Sequence, residues 1–427
     1  MNLPFNADES RALDVVRACV ASKISPVPHD DAELVDSGGL DSMAWVDTLI
    51  SIEAAMGIRD FGNPWPEDRS KTIRALADMV LESRRLTARE APRADIRSAA
   101  SADEKVSITG WASLLGSRQL SAEQIERDLD LPPHKIRDGA GIHRLCLAAV
   151  DEDELVLAQR ASEIALEMAE ISVEEIDFLV VTSATFLGFP SLAASLHARL
   201  LMPETSGALD VGGACAGLIY SFAVAKSLLA QNPRGVALVV ASEVHSRRLS
   251  APQVPGDFRG LFGDGACAFI LTNSGTAANG SCISLKEFVW GCSGNAASSL
   301  RVRSYGDAGL TVQFKGEQLA HAAVAQLGRI IEKLENLAGQ PRRKVDYFAL
   351  HQPNPRVVAI LAEKAGIPLE RIPMMAKDCG NLGSVTCGAG LCQALNDFHQ
   401  SGDGSRIPLI FMAAVAPGLV WGGTFLN

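Results

Sequence analysis

Aromatic residues make up only 5% of the 427-residue chain, against a hydrophobic content of 47%. That imbalance describes an Ala-, Leu- and Val-rich α/β protein. Basic residues are outnumbered, and the net charge of −11 argues against a nucleic-acid partner. No apolar run approaches the ~18 residues of a membrane span. The first residues lack a basic region followed by an apolar core, so neither a membrane segment nor a signal peptide is expected. Nine cysteines are scattered without CxxC pairs or histidines at metal-ligand spacing. They read as reduced thiols of a cytoplasmic protein, with no disulfide framework and no metal site.

What is present is organised around Leu209-Asp210-Val211-Gly212-Gly213-Ala214-Cys215-Ala216-Gly217. An apolar run leads in and a helical stretch, Leu218 to Leu229, follows without a breaker. This predicts a buried strand, a tight Gly-Gly turn and a helix whose first residue is Cys215. A thiol there faces unpaired N–H groups and the positive end of the helix dipole, which favour thiolate. From this stretch alone, Cys215 reads equally as a nucleophile or as a small buried hydrophobe.

Residues 1–86 carry 15 Asp/Glu and nine Lys/Arg, more than half of the chain's net charge. Helical patterns at about 9–21, 42–56 and 72–84, separated by Pro26, Pro28, Pro64 and Pro66, predict a small all-α bundle. Between the first two helices lies Gly38-Gly39-Leu40-Asp41-Ser42-Met43, with Ser42 opening the second helix. Alone, a Ser or Asp at that place is an ordinary N-cap. Residues 87–104, rich in Ala, Arg, Ser and Asp with no apolar stripe, read as a linker. From residue 105 onward apolar strands alternate with helical patterns in two halves, about 105–275 and 276–427, which predicts layered α/β structure around buried sheets. Two further stretches stand out there. Leu350-His351-Gln352-Pro353-Asn354 puts a histidine at the C-terminal end of a strand, and Cys379-Gly380-Asn381-Leu382-Gly383-Ser384 puts an asparagine in a Gly-rich loop before a helix. Taken singly, His351 reads as a capping histidine and Asn381 as a turn residue.

The ordered set resembles two known families. The Gly-x-Asp-Ser context, the acidic surface and the helix order of residues 1–86 resemble acyl carrier proteins, with Met43 in place of their usual Leu. That resemblance implies 4'-phosphopantetheine attached to Ser42. Residues 106–427 resemble β-ketoacyl-ACP synthase III of the thiolase superfamily. The likeness is carried by Ala214-Cys215-Ala216-Gly217, Phe189-Pro190-Ser191, Phe262-Gly263-Asp264-Gly265, His351-Gln352-Pro353-Asn354, Gly380-Asn381 and Gly418-Leu419-Val420-Trp421-Gly422. It implies a five-layered αβαβα thiolase fold and a homodimer in which Phe189 reaches the partner's acyl pocket.

The same resemblance implies the chemistry. Cys215 would take an acyl group from a thioester, with the backbone N–H groups of Cys215 and Gly418 as oxyanion donors. His351 and Asn381 would stabilise the enolate formed from a carrier-bound malonyl-type unit, giving a Claisen condensation in polyketide, fatty-acid-like or other secondary metabolism. Acyl carrier proteins, acyl thioesters and malonyl-type thioesters are the implied partners. The family's CoA-binding Trp and Arg are replaced by Lys135 and Gly139, which points to a carrier-borne donor, with Lys135, Arg137, Arg247 and Arg248 as candidate docking residues. Two alternatives stand beside condensation: acyl transfer to an alcohol, amine or other nucleophile, which Asn381 disfavours, and a catalytically silent partner subunit, which the presence of Cys215, His351 and Asn381 disfavours.

Overall fold

The computed structural model describes residues 7–35, 39–58, 61, 65–66, 69–87, 98–99, 106–273, 283–294, 300–304, 310–400 and 406–427. Gly38, Pro64 and most of the expected linker 87–104 lie outside them. The chain divides into two compact units: Met1–Asp95 with Lys315–Gln326, and Ile96–Phe314 with Leu327–Asn427.

Helices Ala7–Ala21, Ser42–Met56 and Ile73–Thr87 of the first unit bury Val16, Trp45, Leu49, Ile52, Leu76 and Val80 in a common core. The helix at Ser42–Met56 has the predicted bounds. Asp41 caps it, its Oδ1 accepting the N–H groups of Met43 and Ala44 at 2.9 Å each, and Gly57 ends it in the left-handed conformation.

In the second unit, one group of strands runs Gly207–Asp210, Phe178–Thr182, Val236–Val244, Asp264–Thr272, Ser107–Leu115, each hydrogen-bonded to the next. A second group runs Ile283–Cys292, Val420–Leu426, Ile410–Ala416, Tyr347–Leu350, with Ser98–Ala99 added on Val289 and Phe288. The groups join only where Ser107 and Ile108 pair with Ser284 and Ile283. Helices Gly217–Leu229 and Val385–Gln400 pack against strands of both groups. Their apolar residues, among them Leu218, Phe222, Val385 and Leu391, are fully buried in one core with strand residues of both groups. This is the middle layer of the expected αβαβα arrangement. Helices Glu154–Ala169 and Leu192–Arg199 cover the outer face of the first group. The Ala158, Ala161 and Ala165 stripe lets the former lie close on its strands. With few aromatics available, small side chains at close approach do the filling.

Candidate active site

Two glycine-containing motifs, about 120 residues apart in sequence, meet in the second unit. Gly263 donates its N–H to the Asn381 carbonyl at 3.0 Å, and Asn381 donates its own to the Leu261 carbonyl at 2.8 Å. A Cβ on Gly263 would sit 1.9 Å from the Cys379 carbonyl oxygen, so only glycine admits this approach. Asp264, fully buried, secures the same corner by accepting the Ala148 N–H at 2.7 Å and the Ser246 N–H at 2.9 Å.

Asn381 is thereby fixed in orientation. Its Oδ1 accepts the N–H of Gly383 at 2.9 Å, which identifies that end as the carbonyl and leaves Nδ2 as the donor. His351 follows the strand Tyr347–Leu350, with its N–H on the Ala413 carbonyl at 2.9 Å. The ring is buried and Nδ1 has no hydrogen-bond partner. Burial pushes its pKa down to about 4; the Gly383 backbone opposes this and nearby His245 adds to it. The imidazole is neutral at pH 7, protonated in roughly one molecule in a thousand. Gly383 thus acts on both side chains.

Cys215 departs from the expectation. It lies in a 3-10 turn, Ala214–Ala216, and the α-helix starts only at Gly217. The preceding residue, Ala214, has φ +46°, a strained value for a non-glycine residue, held here beside the thiol. The thiol is not poised as thiolate. Burial pushes its pKa up to about 12, with Glu243 and Cys387 adding to the shift. Desolvation of the half-buried thiol therefore opposes the helix-terminus effect. The turn packs against Ile410–Ala416 and Val420–Leu426, whose connection carries Gly418 at φ +130°.

The remaining expected residues fall as follows. Ser42 is exposed at the start of its helix, in the first unit. Phe189 is fully exposed and Leu187 largely so, which removes core packing as the role of Phe189. Of the docking candidates, Arg137 pairs with Glu123 and Arg247 donates to the carbonyls of Ala149 and Val150 at 2.6 and 3.0 Å. Lys135 is exposed. Among the described residues no His, Cys, Asp and Glu cluster could hold a metal, and no helix is long and apolar enough to cross a membrane.

Two residues that sequence reasoning overlooked stand at this site. Glu243 is fully buried at the end of the strand Val236–Val244, and His245, also buried, follows it. A Cβ on Gly383 would lie 2.7 Å from His245 Cε1 and 3.3 Å from Glu243 Oε1. The available signal was Glu243-Val244-His245 closing an otherwise apolar run, a pair of polar residues two apart on one face.

A cysteine at a strained turn before a central helix, between two sheet groups, with a neutral histidine and an oriented asparagine amide held by one glycine, defines a thiolase-fold condensing enzyme. The comparisons agree. Residues 131–335 match the family model described as FAE1/Type III polyketide synthase-like protein, and residues 336–427 match 3-oxoacyl-[acyl-carrier-protein (ACP)] synthase III C terminal. The β-ketoacyl-[acyl-carrier-protein] synthase III of Ruegeria pomeroyi is 32% identical over 331 residues, covering 75% of this chain and 98% of that protein. The crystal structure of 3-oxoacyl-(acyl carrier protein) synthase III from Pseudomonas aeruginosa PAO1 superposes with a TM-score of 0.66 at 25% identity, over 76% of this chain and 98% of that one. The priming β-ketosynthase of the R1128 polyketide biosynthetic pathway gives 0.65 at 25% identity, over 77% and 98%. The chain belongs to the β-ketoacyl-ACP synthase III family. Its function is that of the family: acyl transfer to an active-site cysteine and decarboxylative Claisen condensation.

Proposed function

We propose that Cys215 is the acylated residue, that His351 and Asn381 hold the enolate oxygen, and that the extender is a malonyl-type unit on an acyl carrier protein. The observation that carries this reading is the orientation of Asn381: with Oδ1 on the Gly383 N–H, its amide can only donate. Beside it stands a neutral imidazole, which carries one N–H and whose buried Nδ1 has no protein partner. Two neutral donors stabilise a developing enolate without neutralising it by proton transfer.

In the first half-reaction the thiol sulfur attacks the donor thioester carbonyl, the donor's C–S bond breaks, and the Cys215 proton leaves on the departing donor thiol. The high thiol pKa requires the proton to leave only as the substrate arrives. The backbone N–H groups of Cys215 and Gly418 receive the oxyanion in this reading. In the second, the C–CO₂⁻ bond of the extender breaks, carbon dioxide leaves, and the electron pair becomes an enolate held by His351 and Asn381. The enolate carbon attacks the acyl carbonyl and Cys215 is released.

The first unit is read as an acyl carrier domain. Its fit to a phosphopantetheine arm rests on an exposed Ser42 hydroxyl at a helix start that Asp41 caps without using the serine. Such an arm, when attached, supplies a thiol that carries acyl groups as thioesters. The exposed Phe189 and Leu187 support a homodimer in which this loop meets the second copy.

The test is intact-protein mass spectrometry with an acyl thioester, followed by a malonyl thioester. Cys215→Ala is expected to take no acyl group on the second unit. Asn381→Ala is expected to acylate normally but condense about a hundredfold more slowly, the range for losing one such donor. Unimpaired condensation in Asn381→Ala overturns the assignment.

A further inference from the structure

The two oxygens of one buried carboxylate hold two different loops of this site. Oε2 of Glu243 accepts the N–H groups of Ala184 and Thr185 at 2.9 and 3.1 Å, with the Ser183 hydroxyl at 3.4 Å. That is the segment leading to Phe189. Oε1 accepts the Ser384 hydroxyl at 2.6 Å and its N–H at 3.4 Å. Ser384 immediately follows Gly383, whose N–H orients Asn381. Beside Gly383 stands His245 as well, pinned through its Nδ1 to the Gly263 carbonyl at 3.1 Å and stacked on Phe262 with 4.7 Å between ring centroids. The bond to the Gly263 carbonyl fixes Nδ1 as the protonated nitrogen of His245.

Gly383 therefore has both His245 and Glu243 against its Cβ side, and its N–H holds Asn381, so it cannot shift without moving Asn381. The carboxylate reaches Gly383 by way of Ser384; the imidazole occupies the space that a Cβ on Gly383 would need. Glu243 has no route to the substrate in the Claisen mechanism, and every hydrogen bond it takes is from a protein donor.

We propose that Glu243 is a positioning residue for the condensation half-reaction, which holds the Asn381 and His351 donors in register through Ser384 and Gly383 and ties that register to the loop bearing Phe189. The inference rests on the assignment of Asn381 and His351 made above. It separates the two half-reactions: acylation needs Cys215 and its backbone donors, whereas decarboxylation needs the pair that Glu243 sets.

Glu243→Gln is close in shape. One amide oxygen can still accept from Ala184 and Thr185, but the amide nitrogen now meets Ser384, whose N–H loses its acceptor. Ser384→Ala removes the other end of the same link. The groups that act electrostatically here are Glu243 and Cys387 on Cys215, His245 on His351, and Glu154 beside Glu243. Replacing the carboxylate by an amide removes the negative charge near the thiol, so the pH midpoint for alkylating Cys215 moves down.

The experiment compares wild type, Glu243→Gln, Ser384→Ala and Asn381→Ala in the full chain. Acylation of Cys215 is followed by mass, condensation by product formation, and Cys215 reactivity by iodoacetamide labelling across pH. The expectation is that both Glu243→Gln and Ser384→Ala acylate within about threefold of wild type and lose about tenfold or more in condensation kcat. Only Glu243→Gln also shifts the labelling midpoint downward. A condensation rate equal to wild type in Ser384→Ala and Glu243→Gln, while Asn381→Ala is impaired, overturns the inference alone. Unimpaired Asn381→Ala overturns the assignment beneath it as well. Equal losses in both half-reactions with no shift of the labelling midpoint also overturn it, since that is the mark of a general structural defect.

Discussion

Gly263 and Cys379 stand so close that a Cβ on the glycine would lie 1.9 Å from the cysteine's carbonyl oxygen. The Phe262-Gly263-Asp264-Gly265 motif and the Gly380-Asn381 motif are thus two halves of one joint. Their closeness lets the Gly263 N–H reach the Asn381 carbonyl at 3.0 Å and sets the backbone from which the Asn381 amide projects.

Gly263→Ala is expected to destabilise the second unit by about 1–3 kcal/mol, the cost of forcing a methyl group into a closed contact. Because the atom it meets is backbone carbonyl, the Asn381 loop must move, and condensation should fall more than acylation. Urea denaturation followed alongside the two half-reactions checks both. Wild-type stability with wild-type condensation would refute this account of the joint.

The high thiol pKa values have a consequence for alkaline stability. Burial pushes Cys215 and Cys387 each up to about 12, whereas in the unfolded chain a cysteine ionises near 8.5. Between those values the unfolded state has lost protons that the folded state keeps. Stability is therefore fully present below about pH 8.5 and falls as pH rises towards 12, by up to about 1.4 kcal/mol per pH unit for each such thiol. The urea midpoint should drop between pH 8 and pH 10, and less steeply in Cys215→Ala. In the folded enzyme, alkylation of Cys215 should continue to accelerate above pH 9. A plateau near pH 8.5 would show an ordinary thiol.

For the first unit, the expected outcome is addition of one phosphopantetheine by a phosphopantetheinyl transferase to wild type and none to Ser42→Ala. The exposed serine contributes little to stability, since Asp41 supplies the cap, so the variant should melt within a degree or two of wild type. Asp41→Ala should instead cost about 1 kcal/mol of helix stability, read by thermal unfolding. Modification that persists in Ser42→Ala would place the attachment elsewhere.

Much of this site could be read from the chain because its residues sit where local patterns change. His351 ends an apolar strand, Asn381 lies in a glycine turn, and Asp41-Ser42 opens a helix; each is marked by its neighbours in sequence. Glu243 had no such mark. Its partners Ala184, Thr185 and Ser384 are 58 to 141 residues away, and only the packed sheet brings them together. The upward push on the Cys215 pKa had no such mark either. A strand–glycine–helix pattern reveals the helix dipole, which is local, but not the desolvation that pushes the thiol the other way, which depends on residues distant in sequence. The separate antiparallel pair Leu300–Ser304 and Leu310–Phe314 has no counterpart in the sequence reading, because its alternation is short and partly polar.

The route by which the donor arrives follows from the surface near Gly139. A CoA adenine held between an aromatic ring and a guanidinium gains about 1–3 kcal/mol from each stacking contact. The family resemblance puts Lys135 and Gly139 in those places; the Lys135 side chain lies 4.0 Å from where a Cβ on Gly139 would be, and Arg356 donates to the Gly139 carbonyl at 3.3 Å. Loss of both contacts would cost on the order of a hundredfold in affinity, at a factor of ten per 1.4 kcal/mol. A carrier protein does not depend on them, because it docks through charge. Of the four basic residues considered for that docking, Arg137 and Arg247 are already engaged, by Glu123 and by the Ala149 and Val150 carbonyls. Lys135 and Arg248 have no ion pair among the described residues, so they bear the prediction. The same acyl group should reach Cys215 much faster from an acidic carrier protein than from CoA. Lys135→Glu should slow the carrier-borne reaction several-fold and leave the CoA reaction unchanged, and added salt should narrow the gap between donors by screening the docking charges. Equal second-order rates for the two donors at low salt, or a carrier rate indifferent to Lys135→Glu and Arg248→Glu together, would refute a carrier-specific entrance.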